Sequence, residues 1–162
     1  MSTAKEKHLE FIQGVITRMA KCSFMIKGWA IAVLGAFFAF YKESKWEPLL
    51  IIPVMLLILG LWGLDAFFLW QERLFRGLYD KVRLQKEEDI DFSMKRTYKD
   101  GEKKHTWFQA VISRTLLLFY CTIIASCIVF FMIIAPQLEL SCCKIIIVLL
   151  VLLSLCFIKA NN

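Results

Sequence analysis

The chain has few of the residues that form catalytic or metal sites. It has only two histidines, His8 and His105, and they lie far apart in the sequence. None of its six cysteines forms a C-x-x-C pair or has a histidine beside it, so the spacing of a zinc site is missing. No Ser/His/Asp arrangement and no glycine-rich phosphate loop is present. We therefore expect no catalytic residue, no metal and no cofactor, in a protein that is not an enzyme.

Cys142 and Cys143 are adjacent, so they form a vicinal thiol pair. They could bridge neighbouring chains or act together as a redox pair. Four-span membrane enzymes that generate disulfides need two external cysteine pairs to relay electrons. A chain with one pair is a poor fit to that class.

Charge is nearly missing from two long runs. Leu49–Trp70 has one acidic residue in 22 positions, and Thr115–Ala135 has no charge in 21. As a helix, either run can cross the bilayer core of about 30 Å. Hydrophobic residues make up 59% of the chain, against about 45–50% in a soluble domain. The composition therefore predicts a membrane protein.

Two shorter apolar runs complete the pattern. Gly28–Tyr41 has 14 uncharged residues, so Lys27 would have to extend toward the inner headgroups if this run spans the bilayer. Lys144–Ile158 is also short. The predicted fold is all-α and polytopic, with four transmembrane helices in two hairpins and cytoplasmic helical extensions. The predicted divisions are an amphipathic helix (1–23), a first hairpin (24–70), a cytoplasmic helix and linker (71–114), a second hairpin (115–159) and a tail (160–162).

The placement of basic residues predicts the orientation. Residues 1–27 have five basic side chains, and residues 71–114 have eleven against eight acidic ones. The short links 42–48 and 137–144 have two and one. Since an excess of lysine and arginine marks the cytoplasmic side, both termini and the middle segment should face the cytoplasm of a cell with an inner (plasma) membrane. Acidic residues are interleaved with the basic ones and no aromatic-basic module is present, so no specific nucleic-acid binding is expected.

Apolar residues from Leu9 to Phe24 recur at helical spacing. Two interpretations stay open: a helix that packs on the protein's own cytoplasmic segment, or one that lies in the headgroups with its basic residues on anionic lipid.

In span two, apolar residues also recur at helical spacing beyond Trp70, which predicts one long helix to about Lys86. The candidate lipid- or partner-contacting side chains are Arg18, Lys21, Arg73, Arg76 and Arg83.

Small residues recur in the first hairpin at positions where helices in lipid could approach closely. The stripe could pack against span two of the same chain, or against another protomer. We expect a homo-oligomer on the second interpretation. The positions are Gly28, Ala32, Gly35 and Ala36 in span one, and Gly60 and Gly63 in span two.

Asp65 is the one acidic residue within any predicted span, about 7 Å inside the inner boundary at Trp70. A carboxylate in hydrocarbon must pair, take up a proton or contact water, and Lys27 on the adjacent span is its natural partner. The pair could be a structural contact near the interface. It could instead be a gating charge, a proton site or a pore-lining group.

Two stretches carry a resemblance, KHLEFIQGVITRMAKCSFMIKGWAIAVLGAFFAF at 7–40 and WGLDAFFLWQERLFRGLYDKV at 62–82. They resemble short bacterial membrane proteins of anti-phage defence islands. The predicted architecture is also similar to the four-span membrane components of anti-phage systems, such as the Kiwa sensor. The resemblance implies a bacterial inner-membrane protein that oligomerises and senses or disrupts the bilayer.

The function predicted from these features is a non-enzymatic, oligomeric membrane effector or sensor in anti-phage defence. Its expected partners are the lipid bilayer, further copies of the chain and a cytoplasmic protein. Two alternatives remain: a small ion channel or transporter that uses Asp65, and a scaffold subunit of a larger membrane complex.

Overall fold

The computed structural model describes residues 3–41, 51–95 and 106–134, and every regular element in these ranges is helical. The elements are α1 (Ala4–Tyr41), α2 (Ile51–Leu84), a 3-10 turn (Glu87–Asp89), α3 (Trp107–Val111) and α4 (Arg114–Ile134). The predicted all-α class is confirmed for this part of the chain. The predicted fourth span, Pro136 and the Cys142-Cys143 pair lie outside the described residues.

Helix α1 is continuous through the predicted boundary between residues 23 and 24. It begins with a capping box, in which Thr3 N donates to Glu6 Oε2 at 2.9 Å and Glu6 N donates to Thr3 Oγ1 at 3.2 Å. No proline follows within its 38 residues, so nothing interrupts the backbone hydrogen bonds. The predicted amphipathic helix (1–23) and the start of the first hairpin therefore belong to one continuous helix, and the predicted division between them by location stays a prediction. The two are one helix of about 57 Å.

Helix α2 also extends well beyond its apolar run. Pro53 lies in the first turn, where a missing N–H leaves no hydrogen bond unmade. The helix continues past Trp70 to Leu84, which confirms the predicted continuation of the helix beyond the apolar run. At its end, Lys5 Nζ donates to the carbonyl oxygens of Arg83 at 3.1 Å and Gln85 at 2.5 Å. A cation there satisfies free carbonyls and complements the helix dipole.

The chain divides into two compact units, and both long helices contribute to each. In the unit formed by residues 1–27 and 63–111, α1 and α2 run antiparallel, since Lys5 contacts the end of α2 and Lys27 contacts Asp65. Its core consists of Ile12, Ile16, Val82 and Ile90. The apolar face of Leu9–Phe24 thus packs on the protein itself, as the first of the two interpretations has it.

The segment after α2 folds back onto α1. Ile90 joins the core, and the ring of Phe92 meets that of His8 edge-on with centroids 5.6 Å apart. Phe92 has a φ of 51°, a left-handed conformation that bulky residues rarely adopt. The packing of these two side chains against α1 holds that conformation in place.

A tryptophan and a tyrosine donate hydrogen bonds to the backbone of α2. In the first unit, α3 begins with a Thr106–Gln109 capping box, and Trp107 Nε1 donates to the carbonyl oxygen of Gly63 at 3.2 Å. In the other unit (residues 28–62 and 112–162), Tyr120 of α4 donates to the carbonyl oxygen of Leu61 at 3.4 Å. Its ring stacks on Trp62 with centroids 5.6 Å apart.

Two helices in the described ranges are long and apolar enough to cross a membrane, Ala4–Phe40 and Ile51–Leu84. Only 22% and 17% of their apolar windows are buried within the chain. A core helix of a soluble protein buries most of such a window, so the exposed apolar surface needs another environment. Helix α4 is apolar over 21 residues. The described residues support two candidate spans rather than the four that the sequence predicted.

The core between α1 and α2 can be tested with two substitutions of one type. Ile12 is 0% exposed, so Ile12→Ala should cost about 2–4 kcal/mol and speed hydrogen exchange in residues 78–84. Ile31→Ala, at a position that is 57% exposed on the same helix, should leave that exchange unchanged. Equal protection in both variants, measured by mass spectrometry in detergent, would contradict the packing described here.

Candidate functional site

The site is a cluster of three polar side chains between α1 and α2. The structure brings the two predicted partners together: Lys27 Nζ lies 2.6 Å from Asp65 Oδ2. Ser23 Oγ donates to Asp65 Oδ1, and Lys27 Nζ donates to Ser23 Oγ at 2.9 Å. The three groups thus form a closed ring of contacts in which each touches the other two.

Helical spacing and antiparallel packing assemble this cluster. Ser23 and Lys27 are four residues apart on α1, so they lie on one face. Their neighbours on that face, Ile26 and Ala30, are also buried, which directs the face toward the interior. Asp65 lies beside Ala66, which is fully buried, on the opposing helix.

Burial makes the electrostatics of the cluster demanding. The Asp65 side chain is 0% exposed, whereas that of Lys27 is 24% exposed. A buried carboxylate is stable only when a counter-charge and hydrogen-bond donors satisfy it. Lys27 supplies the charge, and Ser23 supplies a second donor to the other oxygen. The Ser23 hydroxyl donates a hydrogen bond to Asp65 and accepts one from Lys27, so both its donor and its acceptor function are engaged within the cluster.

The sequence pattern did not identify Ser23. The signal was present, because Ser23 is a polar residue one helical turn before Lys27 on an otherwise apolar face. A hydroxyl at that spacing can reach any group that the lysine contacts. The chemistry that this arrangement can perform is to neutralise a buried charge and to hold two helices at a fixed height.

The candidate basic residues fall into two groups. Arg76 is paired with Glu72 at 2.7 Å, and Arg83 with Asp80 at 3.6 Å, both along α2. Arg18 and Lys21 are exposed on α1, and Arg73 is half-buried. Arg76 and Arg83 thus each pair with an acidic residue of their own helix, and the predicted lipid or partner contacts of all five basic residues stay predictions.

The small residues of span one are exposed. Gly28, Ala32, Gly35 and Ala36 all face away from the rest of the described chain. A Cβ added at Gly28 or Gly35 would meet no atom within 4 Å. The described part of span two therefore does not cover this stripe, contrary to the interpretation of packing within one chain.

The two span-two glycines differ from each other. Gly60 is exposed, and a Cβ there would also meet nothing within 4 Å. At Gly63, by contrast, a Cβ would lie 3.7 Å from Cζ2 of Trp107, whose indole also bonds the Gly63 carbonyl. Gly63 therefore packs against an aromatic ring of the same chain, and its predicted role in an oligomer contact stays a prediction.

Among the described residues, no group of three or more His, Cys, Asp or Glu side chains could hold a metal ion. Cys22, Cys121 and Cys127 form no disulfide there. The pattern of contacts around Asp65 is therefore the principal polar site that these residues present.

The ion pair can be tested by removing one partner or both. Asp65→Asn should cost about 3–5 kcal/mol, because it leaves Lys27 without its counter-charge. Asp65→Leu combined with Lys27→Met should recover most of that loss, since no buried charge remains. The matched control is Asp80→Asn, which breaks an exposed pair worth at most about 1 kcal/mol. Unfolding in detergent micelles measures all three, and a double variant no more stable than Asp65→Asn would contradict this account.

The cluster is described from this chain alone. Comparison with models of protein families, with curated proteins and with solved structures finds no match.

Proposed function

We propose that this protein is a non-enzymatic, oligomeric membrane effector or sensor, anchored by apolar helices that extend into the cytoplasm as a helical stalk. The stalk is defined as Ala4–Lys21 of α1 with Gln71–Leu84 of α2. The observation that carries the proposal is the neutralised Ser23–Lys27–Asp65 cluster, set among apolar helix surface that the described chain leaves exposed. Charges with such partners are compatible with a hydrocarbon environment.

The cluster supports a consistent membrane boundary on both helices. Moving from it toward the cytoplasm, α1 meets its next charge at Lys21 and α2 reaches polar residues at Gln71. Because Asp65 partners Lys27, the span on α1 extends from Cys22 to Tyr41. Those 20 residues are about 30 Å long, which matches the bilayer core. Lys27 then lies within the span. It needs a charged partner there, and its side chain does not have to extend to the headgroups.

A continuous α1 also decides where Leu9–Phe24 lies in this proposal. A helix that crosses the bilayer continues along its own axis, so Phe11 would lie roughly 17 Å beyond Cys22, away from the hydrocarbon. It cannot also lie flat in the headgroups of the same leaflet. The stalk is thus a cytoplasmic structure whose core is Ile12, Ile16 and Val82, with Ile90 of the following segment packed against them.

The remaining topology completes the proposal. The apolar α4 supplies a third crossing, and Lys144–Ile158 supplies the fourth, which returns the C-terminus to the cytoplasm. The basic residues of the 1–27 and 71–114 segments favour this orientation in the inner membrane.

Reporter fusions test the four crossings. Green fluorescent protein, which fluoresces when it folds in the cytoplasm, should be bright after Glu88 and after Asn162. Alkaline phosphatase, which is active only outside, should be active after Ser44 and after Ser141. A phosphatase-active fusion at Asn162 would leave an odd number of crossings and contradict the proposed second hairpin.

The resemblance to anti-phage membrane proteins supports the biological setting of the proposal. Such a protein would assemble in the inner membrane and either sense its disturbance during infection or breach it. The exposed positions Gly28, Ala32, Gly35 and Ala36 offer a surface where another copy can approach closely. The stalk offers Arg18, Lys21 and Arg73 to a cytoplasmic partner or to lipid.

Enlarging the small positions tests assembly and defence together. Ala32→Leu with Ala36→Leu should abolish oligomers on native gels, because the added side chains keep neighbouring helices apart. The same variant should lose any reduction in phage plating that the wild-type chain gives when expressed with its neighbouring genes. Val129→Leu enlarges an exposed α4 residue and should change neither result. Oligomers that persist in the double variant would contradict this interface. Phage plating that the wild-type chain does not reduce would contradict the defence role.

The alternatives differ in what they require of Asp65. A proton-coupled channel or transporter needs that carboxylate to face water, whereas it is 0% exposed and held by Ser23 and Lys27. A scaffold subunit places no demand on Asp65 and needs only an exposed stalk. The geometry therefore favours a structural role for the cluster, which both an effector and a scaffold can use.

A further inference from the structure

We propose that the stalk binds a second, parallel copy of this chain through a heterologous contact. In this contact, a ridge on α1 of one copy packs into a groove beside α1 of the next copy. The inference rests on the proposed membrane topology and adds a cytoplasmic interface to the assembly. The ridge is defined as Lys7, Phe11 and Arg18. The groove is defined as Glu6, Leu9, Glu10, Gln13, Gly14, Thr17 and Tyr79.

The ridge is a basic surface around one exposed aromatic side chain. Phe11 is 70% exposed, although it lies in the part of α1 that the proposal places in the cytoplasm. Lys7 and Arg18 are exposed on the same face, four and seven residues from Phe11. The core face of Ile12 and Ile16 points elsewhere, and Phe11 is not part of that core. An exposed aromatic flanked by cations is typical of an interface anchor.

The groove offers the complementary properties. It has a volume of about 580 Å³, and its lining combines two carboxylates with the half-buried Leu9 and Tyr79. Gly14 forms part of its floor, where an added Cβ would meet no atom within 4 Å. An incoming aromatic ring can therefore approach the α1 backbone closely. Glu6 also caps Thr3 through Oε2, and Glu10 is exposed.

The occupant is a second copy because the ridge and the groove carry opposite charges, and because both lie at nearly the same height relative to the membrane. Copies embedded in one membrane stand parallel at the same height, so each residue faces positions of nearly the same number. Lys7 then lies between Glu6 and Glu10 of its neighbour, and Phe11 lies between Glu10 and Gly14. Arg18 reaches the polar side chains of Gln13 and Thr17. Opposite charges at the rim favour this register over others.

The contact is heterologous, since the two surfaces are different parts of one helix. At 3.6 residues per turn, the ridge and the α1 side of the groove are roughly 100° apart around the axis. Each copy can thus bind one neighbour through its ridge and another through its groove. Confined to a membrane plane, such contacts close into a ring when the rotation between neighbouring copies divides a full turn.

Disulfide cross-linking between two differently tagged full-length chains tests the geometry. Co-expressed Phe11→Cys and Gly14→Cys chains should form a mixed disulfide in membranes treated with a mild oxidant. Two Phe11→Cys chains, or two Gly14→Cys chains, should not exceed the background that the native cysteines of the wild-type pair give. A two-fold contact would instead link identical positions, so that result, or no product between the two variants, overturns the proposal.

Charge exchange tests the rim. Added to the Gly14→Cys chain, Glu10→Lys should lower the yield of the mixed disulfide about fivefold, as expected for one exposed ion pair. Lys7→Glu in the Phe11→Cys partner should restore it. Glu88→Lys, outside the ridge and groove, controls for charge alone. Unchanged yield with Glu10→Lys, or no recovery in the exchanged pair, overturns the charge match. Native-gel oligomers that persist without the mixed disulfide would leave the membrane assembly standing and remove only this stalk contact.

Discussion

The structure depends on the neutralisation of one carboxylate. Asp65 is fully enclosed between two apolar helices, where an isolated negative charge would cost far more free energy than the packing of a short helical segment returns. Lys27 and Ser23 satisfy both of its oxygens, and they do so from a single turn of α1. Because polar contacts of this kind are directional, they fix the relative height of the two helices, which apolar packing alone leaves free to slide.

That fixed height sets the register of everything toward the N-terminus of α1. With Lys27 opposite Asp65, Ile12 and Ile16 face Val82 and Ile90, and Lys5 reaches the carbonyl groups that end α2. A shift of one turn, about 5.4 Å, would separate each of these pairs at once. The buried polar cluster thus acts as a register device, a role for which buried polar groups are best attested in helical assemblies.

The sequence predicted much of this arrangement because its signals are local. Apolar periodicity gave the helical class and the continuation of α2 past Trp70, and the single acid in a span pointed to Lys27. The continuity of α1 was not predicted, since Lys21 and Lys27 interrupt the apolar run and resemble the boundary of a span. The contact of Trp107 with Gly63 could not be predicted from the sequence. It joins residues 44 apart, and no periodicity reports such a distance.

The unused surfaces of α1 follow from the same constraint. Helix α1 packs against α2 through the face that carries Ser23, Ile12 and Ile16. The rest of its surface does not pack on α2, and Phe11 lies there among lysine and arginine. A solitary stalk would gain solubility from a polar residue at position 11, so an aromatic side chain there is best explained by a surface that covers it. The groove beside Gly14 combines the apolar side chains of Leu9 and Tyr79 with the opposite charge of Glu6 and Glu10. In the proposed assembly, the membrane would bring that groove to the height of the ridge, so that the register set by Asp65 within a chain would also set the register between chains.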